Sequence, residues 1–189
     1  YSGLGESSGE FATANLSQWL EEALMIYQHI QHRPTIIVGS SMGAWLALRL
    51  TEVLQTTQQI SPKALLLLAP AIDFTHELLL KKLPQALLDQ LEQQGITAIP
   101  SQYDEEPLKF YQQFIEDANQ HRLLNRPSDI TVPMTMIHGE QDTDIPLILA
   151  IKAAAHFKNT QLITVNDGEH RLSREQDIQL ILKTLEDLQ

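Results

Sequence analysis

The chain has 189 residues, 43% of them apolar, a net charge of -11 at pH 7 and no cysteine. This length suits one domain with a sizeable core, and so acidic a chain is not expected to bind nucleic acid because its average field repels phosphate backbones. The lack of cysteine excludes disulfides and thiolate nucleophiles, and no apolar stretch is long enough to predict a transmembrane segment.

The first third of the chain predicts a helix, a strand and a second helix. Apolar residues recur at helical spacing over 16–30, and Asn15 and Gln18 are placed like a capping box. The β-branched run at 35–38 predicts a short strand. The apolar stretch at 42–54 predicts a buried helix directly after it.

Three further short runs are apolar on both faces, which is typical of strands in a parallel sheet covered by helices. Helical patterns follow the last two of them, at 146–157 and 173–188, and we expect a capping box of Ser173 and Gln176 on the final helix. This alternation predicts an α/β fold with a mostly parallel sheet. The three runs are 64–68, 134–137 and 162–165.

An insertion separates the second predicted strand from the third. Residues 72–128 carry helical patterns without a strand signal, in particular leucines over 78–91 and aromatic residues over 108–115. Ligands of open α/β sheets bind at the carboxyl ends of the strands, so we interpret the insertion as a helical cap over those ends. The remaining residues, 1–71 and 129–189, would then form the core.

A nucleophile-elbow motif, Gly39-Ser40-Ser41-Met42-Gly43, lies between the first predicted strand and the buried helix. Ser41 holds the nucleophile position of the motif, and Ser40 precedes it. We expect both glycines to be needed because side chains would collide in so sharp a turn. The backbone N–H of Met42, at the helix N-terminus, is expected to donate to a developing oxyanion. The alternative is an ordinary turn rich in small residues.

An acid and a base follow in the chain order Ser, Asp, His that such a motif requires. Asp142 lies in the loop after the third predicted strand, and His170 lies in the loop after the fourth. Two other acids stay open: Asp144, better suited to be the N-cap of the next helix, and Asp73, after the second strand. His138 ends a strand and is expected to make a structural hydrogen bond.

These residues predict a serine hydrolase that acts by acyl transfer. Ser41, deprotonated by His170, would attack an acyl carbon while Asp142 fixes the imidazole tautomer, and water would then release the acyl group. No cofactor is predicted, and no metal, because no pair of histidines has the spacing of a motif such as H-E-x-x-H. A non-catalytic binding module is the alternative from another class, and a disrupted triad would be its sign.

On these motifs the chain resembles the α/β-hydrolase superfamily, and within it the family of the mitochondrial palmitoyl-protein thioesterase, also called mycophenolic acid acyl-glucuronide esterase, with its bacterial relatives. The elbow and triad are common to the superfamily, whereas the stretch at 100–103 is more selective. Ala44 departs from the glycine that we expect there. The similar stretches are 1–9, 38–46, 100–103, 121–124, 138–146, 170–171 and 177–180.

The resemblance implies a serine esterase or thioesterase that acts on small-molecule or acyl-protein substrates, with a serine peptidase of the same fold as the alternative. It also implies further strands before Tyr1, including a loop with the second oxyanion donor. Without them the strand at 35–38 keeps an unpaired apolar edge, and we expect residues 1–189 alone to be poorly soluble and nearly inactive. The expected location is cytoplasmic, or mitochondrial in a eukaryote, since no signal peptide is visible.

Overall fold

The structure of the chain, a computed structural model, contains a parallel sheet with helices packed against it and a separate antiparallel strand pair. The α/β fold class predicted from the alternation of strands and helices is therefore confirmed. The selective stretch at 100–103 lies outside the described residues. The structure describes residues 1–30, 33–58, 60–99 and 107–189.

Strands and helices alternate along the chain, and the predicted order holds except within the insertion. The strands are β1 (Ile36–Ser40), β2 (Ala64–Leu68), β3 (Ile96–Ile99), β4 (Leu108–Tyr111), β5 (Met134–Gly139) and β6 (Thr160–Val165). The helices are α1 (Leu16–His29), α2 (Met42–Val53), α3 (Leu80–Lys82), α4 (Gln85–Gln94), α5 (Gln112–Gln120), α6 (Leu147–His156) and α7 (Glu175–Asp187).

The described residues form two compact units. The sheet unit comprises Ala23–Ile72 and Leu123–Gln189, and the helical unit comprises Tyr1–Glu22 and Asp73–Arg122. The helical unit thus holds most of the predicted insertion together with the first 22 residues. The domain limits predicted from the sequence, with an insertion at 72–128, stay a prediction.

The sheet unit is built on four parallel strands in the order β1-β2-β5-β6. The first three leucines of β2 are fully buried, and Leu66 forms a core with Ile137 of β5 and Leu172. The apolar face of α7 packs against this core, through residues such as Ile181 and Leu185. Runs that are apolar on both faces are stable here because helices cover the sheet.

Strand β1 lies at one edge of this sheet in the part of the chain that the structure describes. There β1 pairs with β2 alone, and Val38 in β1 is 49% exposed. An exposed apolar edge strand is a template for pairing with another chain. The predicted poor solubility of residues 1–189 stays a prediction.

The helical unit has an aromatic core around Trp19, which is fully buried in α1. The Trp19 ring lies 5.8 Å from that of Phe114 in α5 and 6.0 Å from that of Tyr1, measured between centroids. The Trp19 indole N–H donates to the carbonyl of Ser2 at 2.9 Å. Because a buried indole N–H needs an acceptor, this bond ties the opening loop to α1.

Hydrogen bonds at the start of α1 join it to α5. The Asn15 side chain accepts the Gln18 N–H at 2.8 Å, which confirms one half of the predicted capping box, whereas the Gln18 side chain donates to a glutamate one turn further along α1. The carboxylate of Asp117 accepts the Ser17 N–H at 2.9 Å, and the Ser17 hydroxyl lies 2.7 Å from His121 Nε2. The first turn of α1 is therefore held by a residue 100 positions away in the chain.

The insertion contains a strand pair that the helical pattern did not predict. β3 and β4 pair antiparallel, with Ile96 opposite Tyr111 and Ile99 opposite Leu108. The predicted helix over 108–115 is therefore wrong for its first half, and α5 begins only at Gln112. β-branched residues in one run and aromatic residues in the other favour pairing, and this gain exists only once the two runs meet.

Two predicted helix caps are also wrong. The N-cap of α7 is Arg174, which forms the capping box with Asp177 in place of Ser173 and Gln176. The N-cap of α6 is Pro146 and not Asp144. Both helices start one or two residues later than the patterns predict, which is the usual uncertainty of helix ends. No helix among the described residues is long and apolar enough to span a membrane.

Candidate active site

Ser41 lies in a strained turn between β1 and α2. Its φ of 52° and ψ of -119° fall outside the regions that L-residues normally adopt. The Ser41 N–H donates to the carbonyl of Leu68 at 2.8 Å, and the N–H of Ala71 donates to the carbonyl of Ser41 at 3.1 Å. These bonds fix the turn at the carboxyl end of β2, so neighbouring strands set the place of the hydroxyl.

The turn depends on a very close approach of two backbone segments at Gly39. A Cβ on Gly39 would lie 2.4 Å from the carbonyl oxygen of Gly43 and 2.8 Å from the Cα of Ala44. A Cβ on Gly43 would have no heavy atom of the described residues within 4 Å, apart from its chain neighbours and the backbone of its own helix. The expectation that both glycines are needed for space is therefore wrong for Gly43, because it is the carbonyl of this residue, and not its Cα, that faces the strand.

The structure brings the three residues of the predicted triad together. His170 Nε2 lies 3.0 Å from the Ser41 hydroxyl oxygen, and His170 Nδ1 lies 2.7 Å from Oδ2 of Asp142. The Asp142 side chain is fully buried, and that of His170 is 16% exposed. All three residues belong to the sheet unit and follow the carboxyl ends of its strands.

Several donors converge on the Asp142 carboxylate. Oδ1 accepts the backbone N–H groups of Asp144 at 2.9 Å and Ile145 at 2.8 Å, while Oδ2 faces His170. Burial raises the pKa of Asp142, but the bonds from His170 and Ile145 and the charge of His170 outweigh it and hold that pKa below its ordinary value. Asp142 therefore stays ionised beside the imidazole.

The imidazole of His170 is correspondingly basic. Burial lowers the pKa of His170, but the hydrogen bond and charge of Asp142 and the charge of Asp144 outweigh it, so this pKa is raised above its ordinary value. The bond to Asp142 also determines the tautomer in the neutral ring. Nδ1 carries the proton and donates a hydrogen bond to Asp142, which leaves the Nε2 lone pair directed at Ser41.

His138 supports the loop that carries Asp142. It is fully buried, and its Nε2–H donates to the carbonyl of Ile145 at 2.9 Å, as the expectation of a structural hydrogen bond requires. Burial lowers the pKa of His138, so the ring is neutral at pH 7. The bond joins the end of β5 to the end of the loop, and it therefore fixes the loop at both ends.

A contact between two glycines joins the Asp142 loop to the His170 loop. A Cβ on Gly139 would lie 2.2 Å from the carbonyl oxygen of Gly168, and that carbonyl accepts the N–H of Gln141 at 2.9 Å. The two loops thus touch through their backbones. The sequence places Gly139 at the end of β5 and Gly168 shortly after β6, but nothing in its pattern indicates that the two glycines meet.

An arginine closes the loop of His170. The guanidinium of Arg174 donates to both oxygens of Asp167, at 2.7 and 3.1 Å, and to Oδ1 of Asp177 at 2.8 Å. The bond from Arg174 holds the pKa of Asp177 below its ordinary value. Because Asp167 and Arg174 lie on either side of His170, this pairing ties together the two ends of its loop.

The two alternative acids make other hydrogen bonds. Asp144 donates its backbone N–H to Asp142 and does not cap α6. Asp73 is buried in the helical unit, where its carbonyl accepts the N–H groups of His76 and Glu77 at a turn. Met42 is the first residue of α2, so its N–H belongs to the first turn, whose donors have no acceptor within the helix.

A family model described as serine aminopeptidase, S33, matches residues 1–123. The chain belongs to this family of α/β hydrolases. The fold agrees, because the chain superposes along its whole length on solved structures of the same architecture. The predicted resemblance to the α/β-hydrolase superfamily is thereby confirmed.

Solved structures and curated relatives are similar to the chain at 30% sequence identity or more. A putative hydrolase from Agrobacterium vitis S4 is 35% identical with a TM-score of 0.94, and the match covers all of this chain and 74% of the other. Alpha/beta hydrolase domain-containing protein 10 from mouse is 30% identical with a TM-score of 0.87, at the same coverage. The palmitoyl-protein thioesterase ABHD10, mitochondrial, of Pongo abelii is 32% identical over 191 aligned residues. The chain spans 61% of the length of that curated relative.

We expect Gly39→Ala and Gly43→Ala to differ sharply in stability. The first substitution forces a methyl group into a backbone carbonyl and should lower the free energy of unfolding by about 3 kcal/mol or more. The second places its methyl group where no packed neighbour lies, and it should change the free energy of unfolding by less than about 1 kcal/mol, since alanine favours a helix. Urea unfolding followed by circular dichroism compares the two, and equal losses would contradict the geometry described.

We also expect His170 to make stability depend on pH. Its pKa is raised on folding, so its contribution is complete below the unfolded pKa of about 6.5 and is lost as the pH rises through the folded pKa. The wild type should lose unfolding free energy as the pH rises above about 6.5. His170→Gln should flatten this slope, and the exposed control His29→Gln should not. Urea unfolding at each pH measures the slopes, and parallel curves for all three proteins would refute the assignment.

Proposed function

We propose that this hydrolase cleaves carboxylic esters or acyl thioesters, with Ser41 as nucleophile, His170 as general base and Asp142 as the acid that orients the base. The observation that carries the proposal is the continuous hydrogen-bond chain from Asp142 Oδ2 through His170 to the Ser41 hydroxyl, at 2.7 and 3.0 Å. A hydroxyl, an imidazole and a carboxylate in this order form a charge-stabilised nucleophile.

The reaction follows from the tautomer of His170. Nε2 takes the Ser41 proton as the oxygen attacks the acyl carbon, and the ionised Asp142 stabilises the imidazolium that forms. The imidazolium then protonates the leaving alcohol or thiol, and the acyl group stays on Ser41. In the second half, His170 activates a water molecule that attacks the acyl-enzyme and releases the acid.

The first turn of α2 is the proposed oxyanion site. The N–H of Met42 follows the nucleophile directly, and helix N-termini stabilise negative charge. The strained φ of Ser41 supports this role because it turns the serine and the helix start to the same side of the turn. Gly39 is part of the same turn, which can form because the Cα of Gly39 closely approaches the carbonyl of Gly43.

The substrate class is inferred from relatives. Proteins named palmitoyl-protein thioesterase align with the whole chain, which supports an acyl thioester or ester on a small molecule or on a protein. The family description, serine aminopeptidase, favours a peptidase as the second candidate. We further propose that the enzyme needs no cofactor or metal, and that it acts in the cytoplasm, or in mitochondria if the source is a eukaryote.

Covalent labelling tests the nucleophile directly. A fluorophosphonate probe should label the wild type and not Ser41→Ala, and esterase activity of that variant should fall by about 10⁴-fold or more. Ser40→Ala is the matched control, because it removes the same hydroxyl from the adjacent, exposed position and should keep its labelling. Label on a residue other than Ser41 would overturn the proposal.

A substrate panel separates the two candidate activities. We expect hydrolysis of p-nitrophenyl esters and acyl thioesters of graded length to exceed that of aminoacyl p-nitroanilides, whereas a peptidase would cleave the anilides efficiently. The panel should be run on residues 1–189 and on the chain extended by the strands that the resemblance implies, since a second oxyanion donor is expected there. Losing one such donor lowers the rate about 10²- to 10³-fold.

A further inference from the structure

A second carboxylate lies beside the proposed acid and base. One carboxylate oxygen of Asp142, one of Asp144 and a ring nitrogen of His170 all lie within 4.8 Å of one another. Asp144 is half-buried, so water screens its charge only in part. The sequence offers Asp144 as a competitor for the acid or as a helix cap, and neither role accounts for this position, because Asp142 contacts His170 and Pro146 caps α6.

The backbone holds Asp144 in this place. Its N–H donates to Oδ1 of Asp142 at 2.9 Å, so the two acids share a tight turn. The next N–H, of Ile145, binds the same oxygen at 2.8 Å, and the carbonyl of Ile145 is held by buried His138. The distance from Asp144 to the imidazole is therefore set by a loop fixed at both ends.

We propose that Asp144 is a positioning residue of this site, whose carboxylate places a second negative charge beside the His170 ring and stabilises the imidazolium formed when Ser41 attacks. The inference rests on the proposed function and deepens it. Asp142 would supply the direct hydrogen bond and the tautomer. Asp144 would supply charge alone and so set the basicity of the ring.

The charges around His170 support this division of roles. Among the described residues, the charged groups that act on the ring are Asp142, Asp144 and Arg171, and His138 Nε2 lies 3.5 Å from Oδ2 of Asp142. Burial lowers the pKa of His170, whereas the bond and charge of Asp142, followed by the charge of Asp144, raise it. Arg171 opposes them, and His138 is neutral because burial lowers its pKa. Asp144 is thus the acid that acts on the base at a distance.

Two neighbouring carboxylates commonly share a proton, and the structure shows why Asp142 does not. It receives two backbone N–H groups on one oxygen and His170 on the other, and these bonds outweigh its burial and hold its pKa below the ordinary value. Asp142 therefore keeps its charge even with Asp144 nearby. The pair presents two negative charges to the imidazolium.

NMR titration of the imidazole tests the inference without relying on turnover. In Asp144→Asn the His170 pKa should fall by about half a unit to one unit, since one partly screened charge is removed. Asp144→Glu retains the charge and should restore most of the wild-type value. Glu169→Gln is the matched control, because it removes the same charge from the exposed position next to His170 and should leave its pKa within about 0.2 unit. The His170 signal is assigned by its loss in His170→Gln.

The pH profile of kcat/KM supplies a second readout. In Asp144→Asn the acid limb should move to lower pH by the same amount as the pKa, while the plateau should fall about twofold because a weaker base accepts the Ser41 proton less readily. The two profiles should therefore cross, which a simple loss of folded protein does not produce. If Asp144→Asn does not fold, Asp144→Ser removes the same charge.

An unchanged His170 pKa in folded Asp144→Asn, or an equal shift in Glu169→Gln, would refute the role of Asp144. Failure of the proposed function looks different, because Ser41 would then escape the fluorophosphonate probe while the titration of His170 still responds to Asp144.

Discussion

The site depends on one steric constraint, the passage of β1 across the start of α2 at Gly39. Only a residue without a Cβ lets the strand come this close to the carbonyl of Gly43. The crossing forces Ser41 into its unusual backbone conformation, and bonds from the end of β2 hold it there. The proposed nucleophile, its oxyanion donor and its distance to the base all follow from that crossing.

A second close approach between a glycine and a backbone carbonyl occurs where the loops of Asp142 and His170 meet. Gly139 lies against the carbonyl of Gly168, so these loops are joined by backbone, and Arg174 closes the second one through Asp167. The side chains that carry the proposed chemistry are therefore placed by contacts between main-chain atoms. Such contacts tolerate little adjustment, because a backbone segment, unlike a side chain, cannot relieve a clash by changing its rotamer.

The fold class and the three residues of the proposed triad could be predicted because they rest on local signals: apolar runs, a turn motif and the order of loops. The strand pair β3 and β4 could not, since its stability arises only when residues 96–99 meet residues 108–111. The contact of Gly139 with Gly168 could not be predicted either, nor could the finding that a side chain would fit at Gly43, because both depend on which atom of a glycine faces its neighbour. Arg174 as a cap was missed since arginine is not a usual N-cap residue.

The acid and the base are close in the chain as well as in space. Asp142 and His170 lie 28 positions apart, in the loops that follow the two strands of the β5-α6-β6 unit, whereas Ser41 lies 129 positions from His170. The acid and base of the proposed triad thus come from one supersecondary unit, and the nucleophile comes from another. Evolution can reshape the loops and insertions between the two segments, and with them the choice of substrate, while inheriting the acid–base pair intact.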